Sequence, residues 1–165
     1  MKVLRLTPDN FEEILKEAVR SLREGKVLAC PTDTVYGFVA DATNIKAVRK
    51  IFRIKGREKG KPIPIFVRDI KMARSLAKIS KIQERFIKKV WPGKVTVVLK
   101  SKNKLPKELG TAKTIGLRQP KHKFLNLLLG SYGKHLTGTS ANLSGKPSLP
   151  DSKEIIAQFQ NRKHK

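Results

Sequence analysis

The sequence contains a single cysteine, Cys30, among 165 residues. One cysteine can form neither an intramolecular disulfide nor a structural zinc site built from several thiolates. No stretch approaches the roughly 18 consecutive apolar residues that a membrane span requires, and residues 1–10 lack the apolar centre of a secretory signal. These absences predict a protein of a reducing compartment without membrane association, and the cytoplasm is the simplest expectation.

Acidic residues are scarce: 13 Asp and Glu stand against 37 Lys and Arg, which gives a formal net charge of +24. Such a field attracts nucleotides and RNA, because contacts to phosphate are largely electrostatic. A solvated, lysine-rich surface of a heat-adapted protein is the alternative, but such surfaces normally pair Lys with abundant Glu. The imbalance therefore favours a polyanionic partner.

Histidines are few, and a nucleophilic centre is missing. The three histidines, His122, His135 and His164, do not stand at metal-ligand spacing from one another or from acidic residues. No Gly-x-Ser-x-Gly elbow and no Walker A loop occur, and Cys30 precedes Pro31 in an apolar strand, where a buried inert thiol is expected. The sequence therefore favours neither a metal held by the protein nor covalent catalysis.

Strand and helix patterns alternate along a chain whose length fits one ordinary domain, residues 1–165. Strands are predicted at 3–6, 26–30, 63–67, 95–99 and 115–117. Helices are predicted to begin after the caps Asn10, Asn44, Asp69 and Ser80, and two more to begin at Pro120 and at Asp151; Gly130 is predicted to end the helix from Pro120. This order predicts an α/β fold with helices flanking a sheet.

Two polar segments carry more functional groups than a turn requires. Pro31–Gly37 places two hydroxyls, a carboxylate and a phenol at a strand end, where open α/β sheets bind ligands. Lys55 and Arg57 flank a glycine that permits close backbone approach, and an ammonium beside a guanidinium suits a triphosphate. Each pattern on its own is also typical of a local turn or of a solvated basic loop.

Two further segments follow later in the chain. The short strand Thr114–Arg118 delivers Arg118, which can clamp a substrate carboxylate through two hydrogen bonds. Thr139–Gly145 contains small residues whose hydroxyls, amide and exposed backbone can line a nucleotide. A surface arginine and a Ser/Asn turn are the alternatives. Together the four segments predict a concave, basic site that binds a polyphosphate nucleotide.

Taken in order, these segments resemble the YrdC-like family of threonylcarbamoyl-AMP synthases, and the likeness runs from about Lys26 to Pro150. The matching positions are Pro31–Gly37, the Lys-x-Arg pair Lys55 and Arg57, the turn Trp91-Pro92-Gly93, and the Ser-x-Asn pair Ser140 and Asn142. Each match alone is weak, whereas four matches in the same order are specific as a set.

The resemblance implies a twisted, open, mixed α/β sheet with a basic concave cavity, in which L-threonine, bicarbonate and ATP with Mg²⁺ become threonylcarbamoyl-AMP and pyrophosphate. A partner complex would then transfer the threonylcarbamoyl group to tRNA. Carried over residue by residue, the ATP contacts are Lys55, Arg57, Thr114 and Asn142, with Lys55 and Arg57 as the catalytic residues. The threonine contacts are Thr32, Arg118 and Ser140. For this chemistry the protein has to position two anions and neutralise the charge that builds up on the phosphoryl oxygens, and it needs no nucleophilic side chain.

The sequence also departs from the family pattern. Phe66 stands where the family often has His, Lys94 replaces a common Pro, and the family continues beyond the position of Lys165 with a segment that supplies further substrate contacts. An RNA-binding protein on the same fold, with tRNA or rRNA as its partner, is therefore the alternative. A carbamoyl-transfer domain of a hydrogenase-maturation type is a third reading, without an accompanying zinc-finger or acylphosphatase-like segment here.

Overall fold

A computed structural model describes residues 1–58, 60–110 and 112–160; His164 lies outside them. The helices are α1 Phe11–Arg23, α2 Ile45–Lys55, α3 Ile70–Leu76, α4 Lys81–Val90, α5 Lys123–Tyr132 and α6 Ser152–Phe159. The strands are β1 Leu28–Cys30, β2 Gly37–Val39, β3 Ile65–Phe66, β4 Ala77–Lys78, β5 Val97–Ser101, β6 Thr114–Arg118, β7 Leu136–Thr137 and β8 Thr139–Ser140. None of the described helices is long and apolar enough to cross a bilayer.

Side-chain caps set where several of the helices begin, and the sequence predicts those of Asn44, Asp69 and Ser80. The Asn44 side chain accepts from two backbone amides at the start of α2, and Asp69 accepts from the Met72 amide. Ser80 opens α4 with a reciprocal capping box, and Asp151 caps α6. Each cap satisfies a backbone donor that the helix leaves unpaired and contributes about 1 kcal/mol.

Three local predictions are wrong. Helix α5 runs through Gly130 and ends at Gly133, whose φ of +74° is the left-handed conformation that favours glycine. The buried face of α5 continues to Tyr132, so packing outweighs the cost of about 1 kcal/mol for a glycine inside a helix. Residues 3–6 form no strand, and the Asn10 side chain bonds back to Thr7 and Arg5 instead of capping α1.

The mixed α/β class is confirmed, and the strands form two sheets. The smaller sheet has the order β1-β2-β8, and all its pairs are antiparallel. The larger has the order β4-β5-β6-β3-β7, in which β3 and β6 run parallel. Only Gly138 separates β7 from β8, and its amide bonds the Pro64 carbonyl at 2.7 Å. The chain therefore crosses from one sheet to the other at Gly138.

Gly138 is required by a close approach to an aromatic ring. A Cβ at this position would lie 2.6 Å from the ring of Phe66, a distance that carbon atoms do not tolerate. The backbone of the β7–β8 crossing thus lies directly against Phe66 in β3. This contact holds the two sheets together next to the strand end that carries Arg118.

Two apolar clusters support this arrangement. One lies between α2, α4 and the larger sheet and includes Ile51, Ile87 and Leu117. The other joins α1 to α5 and includes Leu22 and Leu128, both fully buried. Burying an aliphatic side chain of this size stabilises the fold by about 1.5–3 kcal/mol. The packed helices leave the loops at the strand ends free to carry polar side chains.

Candidate active site

The first and fourth predicted segments lie side by side. Strand β2 pairs with β8, and this pairing sets Gly37 opposite Ser140. The Tyr36 carbonyl accepts from the Ala141 amide at 2.8 Å, which extends the contact. A Cβ on Gly37 would lie 3.3 Å from both the Thr139 carbonyl and the Thr32 methyl. Glycine therefore allows the Thr32 turn and the Ser-x-Asn segment to approach.

Lys55, the last residue of α2, joins the second segment to the fourth. Its ammonium donates to the carbonyl of Ser140, to the carbonyl of Asn142 at 2.7 Å and to the Asn142 side-chain oxygen at 3.2 Å. The residue is 2% exposed, and its ammonium lies 5.8 Å from the centre of the Phe38 ring. Burial, and secondarily the charge of Arg57, lower the pKa of the Lys55 ammonium to about 8.

Arg57 follows a left-handed turn at Gly56, whose φ is +59°. The Arg57 amide bonds the Phe52 carbonyl, which fixes the start of the turn, and its Nη2 donates to the Pro62 carbonyl at 3.0 Å. Its Nε is buried and has no hydrogen-bond partner in the described part of the chain. A buried, unpaired guanidinium donor is uncommon and calls for an acceptor.

Arg118 joins the third segment to the first. It lies at the end of β6, is 9% exposed, and donates through Nε to the Gly93 carbonyl at 3.0 Å. Its Nη1 lies 3.4 Å from the Thr34 hydroxyl, and its Nη2 forms an ion pair with Asp33. The guanidinium also lies 5.9 Å from the centre of the Phe66 ring. The Trp-Pro-Gly turn and the Pro31–Gly37 segment thus meet at this arginine.

Asp33 belongs to this cluster although the sequence does not single it out, since its carboxylate is predicted only as one of the polar groups of Pro31–Gly37. Its side chain is 7% exposed and accepts from Arg118 and, at 3.0 Å, from the Lys121 amide. Burial alone would raise the pKa of the Asp33 carboxyl, but these two bonds and the Arg118 charge hold that pKa below its ordinary value. A lone acid in a polar turn, in a chain with few acids, was the available signal.

The remaining predicted residues occupy different parts of this surface. The Thr32 hydroxyl donates to the Val35 carbonyl at 2.7 Å and so stays within its own turn. The Ser140 hydroxyl makes no hydrogen bond to the described residues. Thr114 is exposed and pairs with Lys100 at the far end of β6, about 13 Å from Arg118 at the usual rise of a strand. A site that uses both ends of β6 must extend along the strand.

Two clefts elsewhere in the structure contain none of the predicted site residues. One lies between the N-terminal residues and α1, and includes Lys2 and Glu17. The other is lined by Arg23, Asp41 and Tyr132, among others. The Asp41 carboxylate there already accepts hydrogen bonds from the Thr43 and Tyr132 hydroxyls and lies 3.6 Å from the Lys134 ammonium. Neither cleft is the concave, basic cavity that the sequence predicts at the four polar segments, and that cavity stays a prediction.

The sequence model of the Sua5/YciO/YrdC family, which carries the description telomere recombination, matches residues 20–164. This match covers most of the chain. The chain belongs to the Sua5/YciO/YrdC family.

Members of the Sua5/YciO/YrdC family resemble the chain over nearly its whole length. A Methanocaldococcus jannaschii protein, provisionally named threonylcarbamoyl-AMP synthase, is 36% identical over 94% of this chain and 73% of its own. The threonylcarbamoyl-AMP synthase of Bacillus subtilis is 36% identical over 98% of this chain and 49% of its own. Crystalline Pyrococcus abyssi Sua5 complexed with L-threonine superposes with a TM-score of 0.83 at 35% identity, over 94% of this chain and 45% of that one. The chain thus spans about half the length of the Bacillus subtilis and Pyrococcus abyssi proteins.

One departure from the family pattern lies at the centre of the site. Phe66 stands where the family resemblance leads us to expect a histidine, and its ring contacts the Gly138 backbone on one side. The same ring lies under the Arg118 guanidinium. Phe66 therefore offers an apolar and π surface where a histidine would offer a hydrogen bond. At this position the side chain packs against the Gly138 backbone and the Arg118 guanidinium.

Proposed function

We propose that this domain forms threonylcarbamoyl-AMP and pyrophosphate from L-threonine, bicarbonate and ATP. The names of its relatives support this reaction. The observation that carries it is the meeting of distant segments: Lys55 bonds Ser140 and Asn142, and Arg118 bonds Asp33 in the Pro31–Gly37 turn. Lys55, Asn142, Ser140 and Arg118 are among the residues that the family resemblance assigns to the two substrates, and Asp33 is their neighbour.

Threonine would bind where Thr32, Ser140 and Arg118 come together. Arg118 is fixed by Gly93 and Asp33, whereas its bond to the Thr34 hydroxyl is long at 3.4 Å. A substrate carboxylate would form a shorter, charge-assisted bond to that nitrogen. The Ser140 hydroxyl can turn toward the same ligand, since it has no partner among the described residues.

ATP would lie along the surface from Arg57 toward Thr114, near the loop that contains Asn142. The carbamate of threonine attacks the α-phosphorus, the bond to the bridging oxygen breaks, and pyrophosphate leaves. The protein's task is to position two anions and to offset the charge on the phosphoryl oxygens. Mg²⁺ would arrive with ATP and take its oxygen ligands from the phosphates and water, because the described residues contain no group of three or more His, Cys, Asp or Glu that could hold a metal.

The reaction is tested by measuring pyrophosphate release with all three substrates and with each one omitted. We expect release only with the complete set, and a loss of at least about 100-fold in the Arg57→Ala variant, as for removal of a group that stabilises transition-state charge. Arg53→Ala is the matched control, since Arg53 is an exposed arginine one turn earlier on α2. Release without threonine, or equal losses in both variants, would reject the proposal.

Several wider features belong to the same proposal. Transfer of the product's threonylcarbamoyl group to tRNA by a partner complex follows from the family resemblance. The scarcity of cysteine supports a cytoplasmic location. The length of the chain and the order of its strands and helices support a single domain over residues 1–165. Copurification of the protein with a tRNA-modifying complex from a cell extract would support the first of these.

RNA binding is a second candidate function, and one observation favours it. Lys78 and Lys100 face each other across β4 and β5, and Lys100 faces Thr114 in β6. Like charges directly opposite each other destabilise a sheet, and a phosphate chain would relieve that repulsion. We expect tRNA affinity to fall steeply with salt and to fall further in Lys78→Glu/Lys100→Glu than in Lys16→Glu/Lys153→Glu, which changes one exposed lysine on α1 and one on α6. Salt-independent binding, or equal losses, would reject this candidate.

A further inference from the structure

The two cations that follow α2 have different surroundings, although the sequence pattern presents Lys55 and Arg57 as a pair. Lys55 is almost fully buried, whereas Arg57 is half-buried. An ammonium has three N–H donors, and Lys55 uses all of them, on the carbonyls of Ser140 and Asn142 and on the Asn142 side-chain oxygen. Lys55 therefore has no donor left for a phosphate.

The same contacts determine the shape of the loop from Ser140 to Lys146. The Asn142 side-chain nitrogen donates to the carbonyls of Leu143, at 3.0 Å, and of Lys146. The Ser144 amide in turn donates to the Lys55 carbonyl at 2.8 Å. The loop is thus built around the end of α2, with the Lys55 ammonium at its centre. Both N–H donors of the Asn142 side chain are thus used within the protein, as are the three of Lys55.

Arg57 shows the opposite pattern. Only its Nη2 has a partner in the described part of the chain, the carbonyl of Pro62. Its buried Nε–H is unpaired there, and leaving a buried donor unpaired is costly unless a ligand supplies the acceptor. A guanidinium also offers phosphate a pair of parallel donors, which an ammonium does not. Of these two cations, Arg57 is therefore the one that can still bond a phosphate.

We infer that Lys55 is a positioning residue that holds the Ser140–Lys146 loop in the form that binds substrate, and that Arg57 alone of this pair contacts the phosphates of ATP. The second half of this inference rests on the proposed function. One consequence separates the two roles. Ser140 belongs to the predicted threonine contacts, so removing the Lys55 ammonium should weaken threonine binding, whereas removing a phosphate contact should weaken ATP binding alone.

The variants Lys55→Met and Arg57→Met test this division, because methionine keeps an unbranched apolar stem and removes the charge. Amide exchange over residues 140–146 is measured without ligand, and affinities for L-threonine and ATP are measured by calorimetry. In Lys55→Met we expect exchange faster by about tenfold or more, as for loss of local protection, and a similar loss of threonine affinity. In Arg57→Met we expect unchanged exchange and threonine affinity, with ATP affinity reduced about tenfold or more.

Arg53→Met serves as the control and should leave all three measurements unchanged. Loop exchange and threonine affinity that stay at the wild-type level in Lys55→Met, with ATP binding lost, would overturn the inference. If wild-type protein binds threonine but no ATP, the proposed function fails, while loop exchange in the free protein still decides the role of Lys55.

A measurement on the wild-type protein covers the case in which Lys55→Met does not fold. With ¹⁵N-labelled lysine and arginine, the buried Lys55 Nζ should give a slowly exchanging signal in the free protein. On addition of ATP, the Arg57 Nε signal should shift and the Lys55 Nζ signal should stay in place. A shift of Lys55 Nζ with no change at Arg57 Nε, or no protected Lys55 signal in the free protein, would contradict the assignment.

Discussion

Replacing Asp33 by Asn should destabilise the protein by about 3 kcal/mol, since removing one partner of a buried ion pair leaves the other charge uncompensated. The side chains of Arg118 and Asp33 are 11% and 7% exposed, so water cannot solvate the stranded guanidinium. Asparagine would also present an N–H toward one of the two donors that now bond the Asp33 carboxylate, the Arg118 guanidinium or the Lys121 amide. For a chain of this length the melting temperature should fall by about 6–12 °C.

Urea unfolding at neutral pH measures this loss, and Glu58→Gln is the control. Glu58 pairs with Lys61 in solvent, where the side chains are 76% and 54% exposed, so its variant should match the wild type. Because the Asp33 pKa is lower in the folded protein than in the unfolded chain, the pair stabilises the fold above pH 3.8 and loses its effect as the pH falls below that value. A loss below about 1 kcal/mol at neutral pH, the range of exposed pairs, would refute the reasoning.

Three further predictions follow from single contacts. Lys55 should lose its proton near pH 8 in the folded protein, whereas the unfolded chain keeps it until about pH 10.5. The free energy of unfolding should therefore rise between pH 8 and 10.5 through this group. In a carbon-13 titration of the lysines, a Lys55 inflection near pH 10.5 would show that the carbonyl contacts outweigh burial. Gly138→Ala should cost about 1–3 kcal/mol in urea unfolding because its methyl overlaps the Phe66 ring, whereas Gly130→Ala, with 3.7 Å to its nearest neighbour, should not destabilise. Cys30, whose thiol pKa burial raises to about 12, should react with an aromatic disulfide only after unfolding, and rapid native reaction would contradict its burial.

The features that the sequence predicts well are local. Asn44, Asp69 and Ser80 cap helices because a cap needs only a side chain and the backbone amides two or three residues later. The end of α5 is predicted wrongly, since Gly130 and Gly133 are both plausible terminators and only the buried Tyr132 decides between them. Tertiary packing is not visible in a glycine pattern.

The contacts that build the site are distant in the chain. The Lys55–Ser140 and Arg118–Asp33 bonds each join residues 85 positions apart. The family resemblance selected three of these four residues, Lys55, Ser140 and Arg118. It could do so because it implies which distant segments come together in the fold, and the spacing of residues in the sequence does not. The Asp33–Arg118 pair and the crossing between sheets at Gly138 join residues distant in the chain, so a local pattern cannot show which residues they contact.

If segments distant in the sequence form one substrate site, L-threonine and ATP must bind to it together and must depend on the same side chains. Calorimetric titration of L-threonine into the wild-type protein, with and without ATP, and into Arg118→Met tests this most directly. We expect threonine to bind the wild type, to bind more tightly when ATP is present, and to lose at least about tenfold in affinity in Arg118→Met, as for loss of a charge-assisted pair. Threonine affinity that is indifferent both to ATP and to the loss of Arg118 would contradict a shared site.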